Sequence, residues 1–208
     1  MRNLFVTRPK LCLAGFALIG GSFAHATKPS FDVEPRRLTA RIGKQSWSYA
    51  CTRLCEAAAL DPPQSNAAET RFFFTLSPTE PDERFFRVVI FDVRERRFRD
   101  YAEEGAKGHL NAQHELVALD LFPFFGEDPA DPELRAFKKS KKIVKLDVVD
   151  LETLRRKTLA SKAAFSFEPA FDAQGRLQYR DPRGKTGALV TRSAEALRQS
   201  LFAPAKSP

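Results

Sequence analysis

Short runs of apolar residues bounded by polar turn segments recur along the chain, and the strongest β signal is RFFRVVIFDV, Arg84 to Val93. In a strand, Val89, Phe91 and Val93 share one side there, while Ile90 and Asp92 face the other. Arg94 to Arg96 can turn the chain, and RFRDY, Arg97 to Tyr101, then returns antiparallel. Further strands are expected at QSWSYAC (Gln45 to Cys51), TRFFFTLS (Thr70 to Ser77), Glu115 to Leu121 and KKIVKLDVVD (Lys141 to Asp150). AFSFEPAF and GRLQYRD read as a hairpin across Asp172 to Gly175, where a glycine can take a positive φ.

The period changes to that of a helix in three places. CEAAAL, Cys55 to Leu60, has helix-favouring residues and is stopped by Asp61-Pro62-Pro63. Asp150 is placed to cap a helix carrying Leu151, Leu154 and Thr158 on one side. RSAEALRQSLF, Arg192 to Phe202, is amphipathic, with Ala194, Leu197 and Leu201 inward and Ser193 as its cap. Strands outnumber helices and short turns join them. The expected fold class is α+β: a mainly antiparallel sheet built of hairpins, with two or three helices including a C-terminal one.

The N-terminus alters the picture. Arg2, Arg8 and Lys10 precede an apolar run, Leu11 to Phe23, which ends at Ala24-His25-Ala26, and no acidic residue occurs before Asp32. That order is the pattern of a secretory signal peptide. The run is shorter than the ~20 residues needed to span a bilayer. Cleavage after Ala26 is expected, with residues 27–44 as an extended lead-in and residues 45–204 as a single domain. The predicted destination is periplasmic or secreted, without a transmembrane helix once the signal is removed.

Export governs how the cysteines are read. Cys12 would leave with the signal, and Cys51 and Cys55 would mature where disulfides persist. A disulfide closing so short a loop contributes roughly 2 kcal/mol in the chain-entropy model. Two alternatives use the same C-x3-C pair. Arg53 could depress a thiol pKa for redox work, although exchange usually employs two intervening residues. Copper as Cu(I) accepts two thiolates with an imidazole, for which His109 and His114 are the histidines that remain. Those two stand five residues apart, a spacing that puts them on different faces of either a helix or a strand.

Charge is unevenly distributed. After cleavage 31 basic and 26 acidic side chains remain, yet Leu134 to Lys162 alone holds ten basic residues against three acidic ones. Within it, Lys138, Lys139, Lys141, Lys142 and Lys145 form the densest cluster. This segment is read either as a solvated turn or edge strand guarded by lysines, or as a contact for an anionic envelope component or acidic protein partner. Nucleic acid is a poor match outside the cytosol. Gly184-Lys185-Thr186 resembles the end of a phosphate loop, but Tyr179 stands where the earlier glycine is required. No nucleophile elbow with histidine and no zinc-protease helix occurs. The functional expectation is a non-enzymatic exported binding protein, with no cofactor; the alternative is a thiol-redox or copper-handling protein.

These expectations are checked by the intact mass of protein from its native envelope fraction, before and after thiol alkylation. A chain beginning at Thr27 that takes up no alkyl group is the expected result. Two added alkyl groups would mean free thiols and would count against the disulfide.

Overall fold

The computed structural model describes residues 28–34, 36–50, 58–60, 63–78, 85–121, 132–139, 143–163, 167–182 and 187–203. The expected signal segment and both mature cysteines lie outside them. The described residues form four antiparallel sheets in chain order. The first holds β1 (Ser30–Glu34), β2 (Arg37–Ile42) and β3 (Gln45–Ala50). The second holds β4 (Ala58–Leu60), β5 (Gln64–Ser65), β6 (Arg71–Pro78), β7 (Phe85–Asp92) and β8 (Arg97–Glu104). The third is built from β9 (Ala106–Asn111) and β10 (Leu116–Leu121), then, after helix α1 (Pro132–Lys139), β11 (Ile143–Asp150) and β12 (Arg156–Ala163). The fourth comprises β13 (Ala170–Phe171), β14 (Leu177–Asp181) and β15 (Ala188–Arg192), followed by helix α2 (Ala194–Phe202).

The expectation of an α+β fold is therefore corrected. Strand accounts for most of the described residues, and helix is confined among them to α1 and α2. Two of the three expected helices are strands or turns. Ala58–Leu60 pairs with β6 as β4, so the alanine-rich run is held by a neighbour's backbone rather than by its own helical propensity. Asp150 does cap a turn, accepting from the backbone N–H of Glu152 and Thr153. Leu154 then takes φ +57°, which reverses the chain, and Arg156–Ala163 pairs back onto β11. The lead-in residues supply β1 and β2, which pack Phe31, Leu38 and Ala40 against the second sheet.

The sheets stack face to face in sequence order, and a separate apolar core fills each of the three gaps. Leu38 and Ala40 meet Phe72, Phe74, Val89 and Phe91 between the first two sheets. Phe73, Phe86, Val88 and Ile90 meet Val117, Leu119 and Val149 between the second and third. Leu116, Ala118, Leu146 and Val148 meet Leu177, Tyr179 and Leu197 between the third and fourth. The two middle sheets are thus covered on both faces, so β7 and β11 are nearly continuous apolar runs instead of strict alternations. The outward side of the first sheet is polar, with Arg41 paired to Asp32 and Thr39 hydrogen-bonded to Ser48.

Close approach of the second and third sheets requires Gly108. A Cβ there would stand 2.1 Å from Phe86 Cδ2, inside the ring's contact radius. We expect Gly108→Val to destabilise the protein by about 1–3 kcal/mol, the usual range for overpacking. Phe86→Ala in the same chain should recover part of that loss. Urea unfolding of the two single variants and the double variant measures the coupling.

Candidate functional site

The two ends of the stack differ. At one end lie the hairpin turns after β7, β9, β11 and β13. At the other end β3, β6, β8, β10, β12 and β14 finish.

Each turn at the first end uses the same local chemistry. A side-chain oxygen of Asp or Asn accepts backbone N–H groups two to five residues ahead, and a residue with positive φ closes the turn. Asp92 accepts from Arg94 and Glu95, with Arg96 at φ +53°. Asn111 accepts from His114, with Glu115 at +54°. Asp172 accepts from Gln174 and Arg176, with Gly175 at +72°. Asn66, which leads into β6, does the same with Thr70 and Arg71, and Glu69 is at +50°. The gap between the β9 and β13 turns is narrow. A Cβ on Gly175 would come within 2.9 Å of His114 Cδ2, and Asn111 Nδ2 donates to the Gly175 carbonyl at 2.9 Å.

Arg71 joins these turns into one network. Its Nε donates to Asp92 Oδ2 at 2.9 Å, its Nη1 pairs with Glu115, and its Nη2 reaches Glu152 at 3.4 Å. Asn66 Nδ2 donates to the other Glu115 oxygen at 2.7 Å. Burial raises the Asp92 pKa, but the Arg71 hydrogen bond and the N–H groups of Glu95 and Arg94 outweigh it and hold the carboxyl below its ordinary value. This is a structural lock: both carboxylate oxygens of Asp92 and of Glu115 already have partners.

Beside the lock, the inner strands β5, β9 and β13 of three successive sheets surround a pocket of about 460 Å³. Gln64, Ser65 and Gln113 supply polar groups at its wall, and Leu110 and Phe171 supply apolar ones. None of these residues stood out in the sequence, because isolated neutral amides carry no spacing signature. Only the stacking of sheets brings residues 64, 113 and 171 together.

The opposite end is basic. Register places Lys107 at one end of β9 opposite Asp120, Lys145 opposite Leu121, and Lys162 opposite Val144. Lys107, Lys145 and Lys162 are exposed, and Asp120 is buried. The Lys162 ammonium donates to the Pro182 carbonyl at 2.9 Å. Of the lysines singled out in the sequence, Lys139 is exposed at the end of α1 and Lys145 lies on β11. The Lys138 side chain, Lys141 and Lys142 are outside the described residues. β11 lies between β10 and β12, whereas Lys107 and Lys162 are on β9 and β12, the two edge strands of the sheet. Lys107, 38 residues before Lys145, pairs with Asp120 while Lys145 pairs with the adjacent Leu121, so the two lysines project from opposite faces of the sheet.

The two histidines do not meet. His109 is mid-strand in β9, and burial together with neighbouring Lys107 lowers its pKa. His114 lies in the turn at the far end of that strand, where its carbonyl accepts from Arg198. Cys51 and Cys55 lie outside the described residues. Among the described residues no group of three metal-ligating side chains occurs. No helix there is long and apolar enough to cross a membrane.

No family model matches the chain, and no curated protein does. Among solved structures it is similar to the β-propeller domain of the Trilobed protease from Pyrococcus furiosus, at 17% identity and a TM-score of 0.36, over 66% of this chain and 40% of that one. It is also similar to an oligogalacturonate lyase from Vibrio parahaemolyticus, at 11% identity and a TM-score of 0.40, over 76% of this chain and 44% of the other. A third similarity is to the dihydro-heme d1 dehydrogenase NirN, at 14% identity and a TM-score of 0.38, over 81% and 36%. The chain spans less than half the length of each.

Replacing Arg71 tests the lock. Arg71→Met leaves Asp92 and Glu115 buried without their cation, and a loss of about 3–5 kcal/mol at neutral pH is expected. Because the Asp92 pKa is depressed on folding, the stability it contributes is present above its unfolded value near 3.8 and is lost as pH falls through the lower folded value. Wild-type unfolding free energy should therefore fall in acid, and the variant should show a shallower fall. Denaturant titrations at several pH values measure both.

Proposed function

We propose that this is an exported, non-enzymatic binding protein that meets an anionic partner through the lysine-rich end of its sheet stack. The observation supporting this reading is that the exposed Lys107, Lys145 and Lys162, on three strands of the third sheet, lie toward the end where β10 finishes and β11 begins, Lys107 and Lys162 on one face of the sheet and Lys145 on the other. The exposed Ile143, 61% accessible, lies two residues from Lys145 and gives the same end an apolar contact. A lysine beside an anionic surface contributes about 1 kcal/mol, and the contribution is screened by salt. A signal-like N-terminus puts such a surface in the cell envelope.

The test is cosedimentation of the mature chain with phosphatidylglycerol vesicles and, separately, with polyglutamate, at low and high salt. Lys107→Glu with Lys145→Glu is expected to weaken binding by roughly 30-fold or more, following from about 1 kcal/mol per lysine. Binding unaffected by the double substitution, or absent at low salt, would refute the proposal.

A further inference from the structure

We infer that the pocket enclosed by β5, β9 and β13 is a second binding site, at the end opposite the lysines, and that it takes an uncharged carbohydrate. At about 460 Å³ it falls within the size range of small-ligand sites. Its walls come from three consecutive sheets whose turns are braced by the Arg71 network and by the Asn111–Gly175 contact, so the pocket is formed before a ligand arrives.

The polar groups around it divide into two sets. Asn111 and Asp172 are consumed by the fold: both Asn111 side-chain atoms are hydrogen-bonded, and Asp172 binds Arg176 as well as its own turn. The side chains of Gln64, Ser65 and Gln113 make no hydrogen bond among the described residues. A carboxamide donates through nitrogen and accepts through oxygen, and a serine hydroxyl does both. Sugar hydroxyls need that pairing. Leu110 and Phe171, each half-buried, supply the apolar surface on which the C–H face of a sugar ring packs. The one carboxylate of the lining, Asp172, is already paired to Arg176, so neither an anion nor a cation finds a complementary charge. The pocket thus selects for neutral ligands, and its function does not depend on the lysine end.

The mature chain, labelled with nitrogen-15, is titrated with maltotriose, a galactose trisaccharide and an N-acetylglucosamine trimer. The side-chain NH2 signals of Gln64 and Gln113 are followed by NMR. Saturable movement of both signals with at least one sugar is expected. Gln64→Ala and Gln113→Ala should each weaken it about fivefold, and on the order of 25-fold together, from about one hydrogen bond per amide. The double variant should keep the wild-type backbone spectrum, since neither amide supports the fold. No saturable movement with any of the three sugars, or affinity unchanged in the double variant, overturns the inference. Movement of the same signals by an uncharged capped tetrapeptide, with none by sugars, overturns the ligand class. Anionic vesicles should leave both signals in place, which separates failure of this site from failure of the lysine end.

Discussion

Burial of the two middle sheets on both faces is the constraint on which the rest of this structure depends. A sheet in the interior of a stack must bury apolar side chains on both sides, so β7 sends Phe86, Val88 and Ile90 one way and Val89 and Phe91 the other; the polar groups it carries are paired, as Arg87 is with Asp100. At roughly 25 cal/mol per Å² of apolar surface removed from water, these facing cores are the main favourable contribution to folding. They also set tolerances: where Phe86 lies over the third sheet, only a residue without a Cβ fits, and Gly108 provides it. At the outer faces the demand relaxes, and Arg41, Asp32, Thr39 and Ser48 return.

The turns show how local chemistry and tertiary context divide the work. An Asp or Asn oxygen accepting N–H groups just ahead of it is the same interaction that starts a helix, so Asp150 gives an ambiguous signal. The next few residues decide. Leu154 in the left-handed region costs on the order of 1 kcal/mol or more for a branched residue, and pairing of Arg156–Ala163 along β11 offsets it. Repeated at several hairpins, this device gathers carboxylates at one end of the molecule, and Arg71 gives two of them a cation. The result is an end whose buried carboxylates, Asp92 and Glu115, are paired by Arg71.

The other end has the opposite character. The strand ends there carry exposed lysines, Lys107, Lys145 and Lys162, that are far apart in the chain. A partner held by salt-screened attraction at that end and a neutral ligand held by amides and an apolar floor at the turn end would obey different rules. One would respond to ionic strength, and the other to shape and hydrogen-bond pairing. Stacked sheets suit such a division, because every blade contributes side chains to both ends.

Strand positions were legible because alternation and β-branched or aromatic runs report directly on faces buried by a sheet: β3, β6, β7, β8, β10 and β11 all overlap stretches expected as strand. The C-terminal helix was legible as well, its Ser193 oxygen accepting from Ala196 and its Leu197 buried. Concentration of lysine in one segment, and the signal-like N-terminus, are likewise properties of order along the chain. The sequence alone did not determine that four sheets stack instead of one sheet carrying helices, because an apolar run buried on both faces looks the same whichever layers cover it. It did not reveal that Lys107 lies toward the same end of the third sheet as Lys145, or that Gln64, Ser65 and Gln113 line one pocket. Those proximities arise only when register and sheet packing bring residues far apart in the chain within reach, and no local pattern encodes them.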